Sequence, residues 1–168
     1  ARGWKHNPVE FDTVFNRSRR AWQWGSEDIV HLFQQVPRVQ SESFSGELED
    51  FASLDNWKLD QWVFDKVEAW LRSPAVDEAV MGETRLFFFL HLVGLDTNGH
   101  GHKPHSEVYK NNLRVVDDGI RRLAETVAQV FADDATAFVF TADHGMTDWG
   151  SHGSGSNEEI ETPLVVWG

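Results

Sequence analysis

Residues 85–94 read RLFFFLHLVG, a near-continuous apolar run of strand length, and this stretch restricts the fold most. A strand resting one face on a core alternates apolar and polar residues. One without alternation is covered on both faces, as in parallel sheets flanked by helices. We therefore expect a central strand here. Ser106 then caps a long helix in which Tyr109, Leu113, Val116, Ile120, Leu123, Val127 and Val130 recur at helical spacing. TAFVFT at 136–141 predicts a second buried strand, and 163–167 a third. Strand, helix and strand in that order predict a right-handed parallel crossover and an α/β fold.

Upstream, Asn7-Pro8 is a helix start, and Val9, Phe11, Val14 and Phe15 give an apolar face to a helix at 8–17. An aromatic strand follows at 20–24, ended by Gly25, and Ser26-Glu27-Asp28 caps a short helix through Phe33. Residues 34–53 lack periodicity and read as loop. From Leu59 the set Trp62, Val63, Val67, Trp70 and Leu71 predicts an amphipathic helix ending near Pro74. Aromatics at this spacing read as core more readily than as a carbohydrate platform. No repeat or convincing boundary divides the chain, so 1–168 reads as part of one domain. Starting at Ala1 without an initiator Met, and stopping just after a strand-like run, it reads as an excerpt of something longer.

A net charge of −12 disfavours a nucleic-acid partner, because phosphate backbones are gripped by clustered Lys and Arg. With no Cys, any metal must sit on His and carboxylate. The longest apolar run is far short of the ~18–20 residues that span a bilayer, so no transmembrane span is expected. Asn16-Arg17-Ser18 fits the glycosylation acceptor pattern and makes Asn16 a candidate if this segment faces a secretory lumen.

Two polar clusters follow the two apolar runs: Asp96-Thr97-Asn98-Gly99-His100, then Asp143-His144-Gly145. Parallel strands deliver their carboxyl ends to one edge, where ligands of open α/β sheets bind, so clusters far apart in sequence can converge there. Asp and neutral His are ligands that zinc and similar ions take. Gly99, Gly101 and Gly145 would permit tight turns between ligands, and Ser151-His152-Gly153 can add another imidazole. Singly, such an Asp caps a helix and such a His is a surface residue. Jointly they point to a metal site.

The Asp-x-x-x-His of Asp96 to His100 and the Asp-His-Gly-Met of Asp143 to Met146 resemble the alkaline phosphatase superfamily. HLVGLDTNGHGHKP, YKNNLRVVDDGI, FTADHGMTDWGSHG, GWKHNPVEFDTVFN and WQWGSEDI look, more narrowly, like its phosphoethanolamine transferases of glycolipid-anchor assembly. The resemblance implies an alkaline-phosphatase-like sheet and two divalent metal ions, zinc foremost. It implies that Asp96, His100 and His152 hold one ion while Asp143 and His144 help hold the other. It further implies transfer of ethanolamine phosphate from phosphatidylethanolamine to a mannose of a GPI glycolipid precursor, by an endoplasmic reticulum membrane protein with this segment lumenal. The Thr or Ser nucleophile and a further metal-binding Asp of that pattern are expected upstream of Ala1.

Thr97, Thr141 and Ser151 are hydroxyls near the clusters, but the family pattern gives none of them the nucleophile's role. His102, Lys103 and His105 read as a solvated basic loop. Two alternatives stand beside the transferase: a phosphodiesterase or nucleotide pyrophosphatase passing the phosphoryl group to water, and a non-catalytic metal-binding fragment.

Overall fold

The computed structural model describes residue 9 and residues 11–80 and 82–168, with the side chains of 77–79 left aside. The chain divides into two compact units, Ala1–Glu49 with Lys58–Val93 and Asp50–Trp57 with Gly94–Gly168. The fold class is α/β, with a parallel sheet flanked by helices.

The first unit is built on β1 (Arg20–Ser26), β2 (Val39–Phe44) and β3 (Leu86–Leu90), all parallel in the order β2-β1-β3. The central strand is thus β1 rather than the apolar β3, whose residues are only half-buried at one edge. Residues 34–53 contain β2 and a short 3-10 turn at Gly46–Leu48, a correction to their reading as loop. In β2, VQSESF, Gln40, Ser41 and Glu42 are exposed at the opposite edge while Phe44 is buried.

Alternation across the sheet sorts the aromatics into two layers. Trp22 and Trp24 of β1 lie on one face with Phe88 of β3 and Trp70 of α3 (Trp57–Leu71), at ring separations of 4.9–6.5 Å. Phe87 and Phe89 point the other way, against Phe15 of α1 (Val14–Arg17) and Phe33. The helix read at 8–17 starts only at Val14; Asn7-Pro8 lies outside the described residues, and Phe11 is exposed before the helix. Asn16 is exposed on α1, its Oδ1 accepting from Thr13 N and Oγ1.

Ser26 caps α2 (Glu27–Val30) by accepting from Asp28 N. Gln23, fully buried on β1, donates to Val30 O at 2.8 Å and Ser41 Oγ at 2.7 Å, tying α2 and β2 to the central strand. α3 buries Leu59, Val63, Phe64, Val67 and Leu71, as its pattern requires, and also takes Asp60 and Glu68 inside. It ends before Pro74, and α4 (Ala75–Val80) follows.

In the second unit α5 (Gly94–His102) packs on the long α6 (Glu107–Phe131), capped by Ser106 Oγ accepting from Tyr109 N at 3.2 Å. The buried stripe of α6 is Asn112, Val116, Gly119, Thr126 and Val127, while Leu113 is exposed. Polar and small residues at seven-residue spacing thus occupy much of the face that hydrophobicity assigned to Leu and Ile.

β4 (Phe138–Thr141) pairs antiparallel with β5 (Leu164–Trp167), and Phe138 stacks on Trp167 at 5.1 Å. The expected parallel crossover from β3 to β4 is therefore not made; the two strands belong to different sheets. β4 alternates in burial and β5 is exposed throughout, so neither is the doubly covered strand its apolar sequence suggested. An apolar run prescribes extension and stickiness, while its hydrogen-bonding partner is a non-local choice. Among the described residues no helix is long and apolar enough to cross a membrane.

Phe64, with no exposed surface, anchors α3 in the first unit. Phe64→Ala is expected to lower the unfolding free energy by about 3–5 kcal/mol. Trp62→Ala, at a half-buried ring, should cost less, as urea denaturation of both variants would show.

Candidate metal centre

The centre lies wholly within the second unit. Its first cluster is helical rather than a strand-end loop: Asp96 and His100 are four residues apart on α5 and so share a face. Gly99 and Gly101 have ordinary helical backbone and are needed for close approach rather than for turning. A side chain at Gly99 would collide with Met146 Sδ, and one at Gly101 with the carbonyl of Phe51.

That carbonyl belongs to the segment lying along α5. Asn56 Nδ2 donates to Asn98 Oδ1 at 3.2 Å and to Asp50 O at 2.9 Å, and His102 Nε2 donates to Ser53 O at 2.9 Å. The half-exposed Phe51 ring sits 5.0 Å from that of His100.

The second cluster leaves the end of β4. Gly145 N donates to Glu159 O at 2.7 Å, and a side chain at Gly145 would collide with the carbonyl of Glu158. His144 is thereby held beside α7 (Asn157–Ile160). The loop after it brings in His152.

These elements converge on one oxygen. Asp96 Oδ1 lies 3.3 Å from His152 Nε2, 3.5 Å from His100 Nε2 and 3.9 Å from His144 Nε2. His100 Nε2 and His152 Nε2 are 3.0 Å apart, and the His144 and His152 rings stack at 3.7 Å. Asp143 stands at the outer edge, 85% exposed, its Oδ2 3.7 Å from His144 Nε2. Four of the five expected ligands thus form one group, with Asp143 beside it in solvent.

The back sides of the rings decide what the front sides offer. His100 Nδ1 is 2.9 Å from Gly150 O, and His144 Nδ1 is 2.8 Å from Gly145 O. A carbonyl only accepts, so each Nδ1 carries the proton, and in the neutral ring Nε2 is a bare lone pair. Asp96 Oδ1 is buried with no hydrogen-bond donor. His100 and His144 thus present open nitrogens beside an acceptor oxygen, and the donor set of imidazole nitrogen and carboxylate oxygen suits zinc or a similar divalent ion. Burial, and after it the Asp96 carboxylate, push the Tyr109 hydroxyl above its usual range and keep it protonated.

Several contributors went unread in the sequence: Phe51, Asn56, Thr147 and Gly150 carry no signature of their own. Glu159 did carry one, because Ser156 followed by Glu159 is a capping-box pattern.

One carboxylate and three imidazoles drawn together in this way form a donor set that a divalent metal ion takes. Residues 4–160 match the type I phosphodiesterase / nucleotide pyrophosphatase family, and the chain belongs to it. It is 54% identical over 172 residues to GPI ethanolamine phosphate transferase 1 of Emericella nidulans, aligning 99% of the chain with 18% of that protein. The mouse and human proteins of that name are 47% and 46% identical over 175 residues, aligning the whole chain with 19% of each. The chain thus spans under a fifth of the length of these relatives.

Glu159, buried behind His144, accepts from Ser154 Oγ at 2.8 Å, Gly155 N at 2.6 Å and Ser156 N at 3.1 Å. The Ser154 hydroxyl foremost, with these backbone N–H groups, lowers its pKa from the ordinary 4.5 against the opposing effect of burial. A carboxylate with a folded pKa below its unfolded one adds stability that is complete above the unfolded value and lost as pH falls through the folded value. Glu159→Gln should therefore melt below the parent at neutral pH, with the gap closing at acid pH; thermal melts across that range test it.

Proposed function

We propose that this chain supplies the metal-holding part of the catalytic domain of a phosphoethanolamine transferase. The enzyme moves ethanolamine phosphate from phosphatidylethanolamine to a mannose of a GPI precursor, on the lumenal side of the endoplasmic reticulum membrane. The observation carrying this reading is the donor-less Asp96 Oδ1 faced by three imidazole nitrogens, in a chain 46–54% identical to proteins named GPI ethanolamine phosphate transferase 1.

Asp96, His100, His144 and His152 would hold divalent metal, with Asp143 completing the set from its outer edge. A divalent ion held by these residues would supply neutralisation of phosphoryl charge and activation of a hydroxyl nucleophile. The protein's own part is orientation. Gly150 O and Gly145 O hold the protons of His100 and His144 at Nδ1 and so keep Nε2 open. The Phe51 ring lies against one side of His100, 5.0 Å from it. The chain covers under a fifth of these relatives' length, and the nucleophile would come from another part of the longer enzyme. Asn16, exposed in an acceptor tripeptide, would carry a glycan in a lumenal setting.

The family's description favours a second reading, a phosphodiesterase that uses water as acceptor. Zinc titration of the 168-residue chain by calorimetry tests the centre. Asp96→Asn should weaken binding by more than the roughly 10- to 100-fold that outer hydrogen-bond partners are worth. Equal binding by parent and variant would refute the ligand set. With the longer enzyme, donor lipid and a mannose acceptor separate the two reactions: a transferase releases diacylglycerol beyond one equivalent per enzyme only when acceptor is present, whereas a phosphodiesterase needs none.

A further inference from the structure

We infer that the turn at 147–152 is a positioning device for the metal centre, closed by the Thr147 hydroxyl and acting on His100 through Gly150 O. The inference rests on the metal reading above. Two of the converging imidazoles depend on this one turn. Gly150 O accepts a hydrogen bond from His100 Nδ1 at 2.9 Å, and the same turn ends by delivering His152, with Nε2 3.0 Å from His100 Nε2. His100 on α5 and His152 on the loop are thus set by a shared backbone.

The turn has little apolar anchorage: Asp148 is exposed and Trp149 is 81% exposed. Its shape comes from hydrogen bonds. Gly150 N donates to Thr147 O at 2.8 Å, and Thr147 N to Ser151 O at 3.0 Å. The Thr147 hydroxyl donates to Ser151 O at 3.1 Å while accepting from Ser151 N at 3.2 Å and from Ser151 Oγ at 2.9 Å. One donor and two lone pairs are thereby all used, immediately before His152. His105 Nε2 meets Asp148 Oδ1 at 2.8 Å from outside, an exposed pair of little weight.

Gly150 completes the device. It is buried with φ +72°, and a side chain there would collide with the carbonyl of Gly99 on α5. Only a residue without Cβ lets the turn come this close to α5, where its own carbonyl reaches His100. Neither Thr147 nor Gly150 offers a side-chain ligand, so both are positioning residues.

Thr147→Val, nearly isosteric, removes the hydroxyl alone. In the 168-residue chain it should weaken zinc binding about tenfold, leave the melting temperature of the zinc-free protein unchanged, and be rescued to near-parental affinity by Thr147→Ser. Parental affinity in Thr147→Val overturns the inference, as does a loss that Thr147→Ser shares in full. Failure of Thr147→Val to fold, or a zinc-free melting temperature that drops along with affinity, also overturns it by making the turn a fold element. If the parent itself binds no zinc, the proposed function falls and this inference with it; parent and Thr147→Val binding alike removes only the inference.

Discussion

Asp96 presents a buried carboxylate oxygen with no hydrogen-bond donor, and three imidazole nitrogens face it. Water would ordinarily solvate such an atom, and burying a polar atom without a hydrogen-bond partner costs stability. The surrounding architecture holds the arrangement in place. α5 carries Asp96 and His100, the segment before α3 braces α5 through Asn56, Ser53 and Phe51, and the Glu159 cage steadies the backbone behind His144. Glycines at 99, 101, 145 and 150 let these pieces approach one another closely enough for the nitrogens to meet.

The first unit solves a different problem with different means. Its sheet buries aromatics on both faces, Trp22, Trp24 and Phe88 against α3, and Phe87 and Phe89 against Phe15 and Phe33. Aromatic burial is a large favourable contribution to such a sheet, while Gln23 Nε2 ties α2 and β2 to the central strand.

The elements that were legible in the sequence are those whose cause is local. Ser106 and the spacing from Tyr109 to Val130 define α6; Ser26 defines the start of α2; the pattern from Leu59 defines α3. The misreadings share a non-local cause. The apolar β4 takes β5 as partner instead of β3, β1 rather than β3 becomes the centre of its sheet, and α6 turns Asn112, Gly119 and Thr126 inward. The Asp96 segment looked like a turn because of its glycines, whereas it is a helix whose glycines admit neighbouring atoms.

The sequence by itself determined the chemistry of the site: which residues bring carboxylate and imidazole, the motifs that bind them to a family of phosphoryl-handling enzymes, and the absence of thiolate ligands. Tertiary structure alone decided which nitrogen of each histidine faces Asp96, that Asp143 stands outside the group of four, and that Gly150 and Gly145 carbonyls fix the rings. Residue identity sets what an atom can donate or accept. Direction is set by partners from distant parts of the chain, because a hydrogen bond forms only where folding has placed both of its ends.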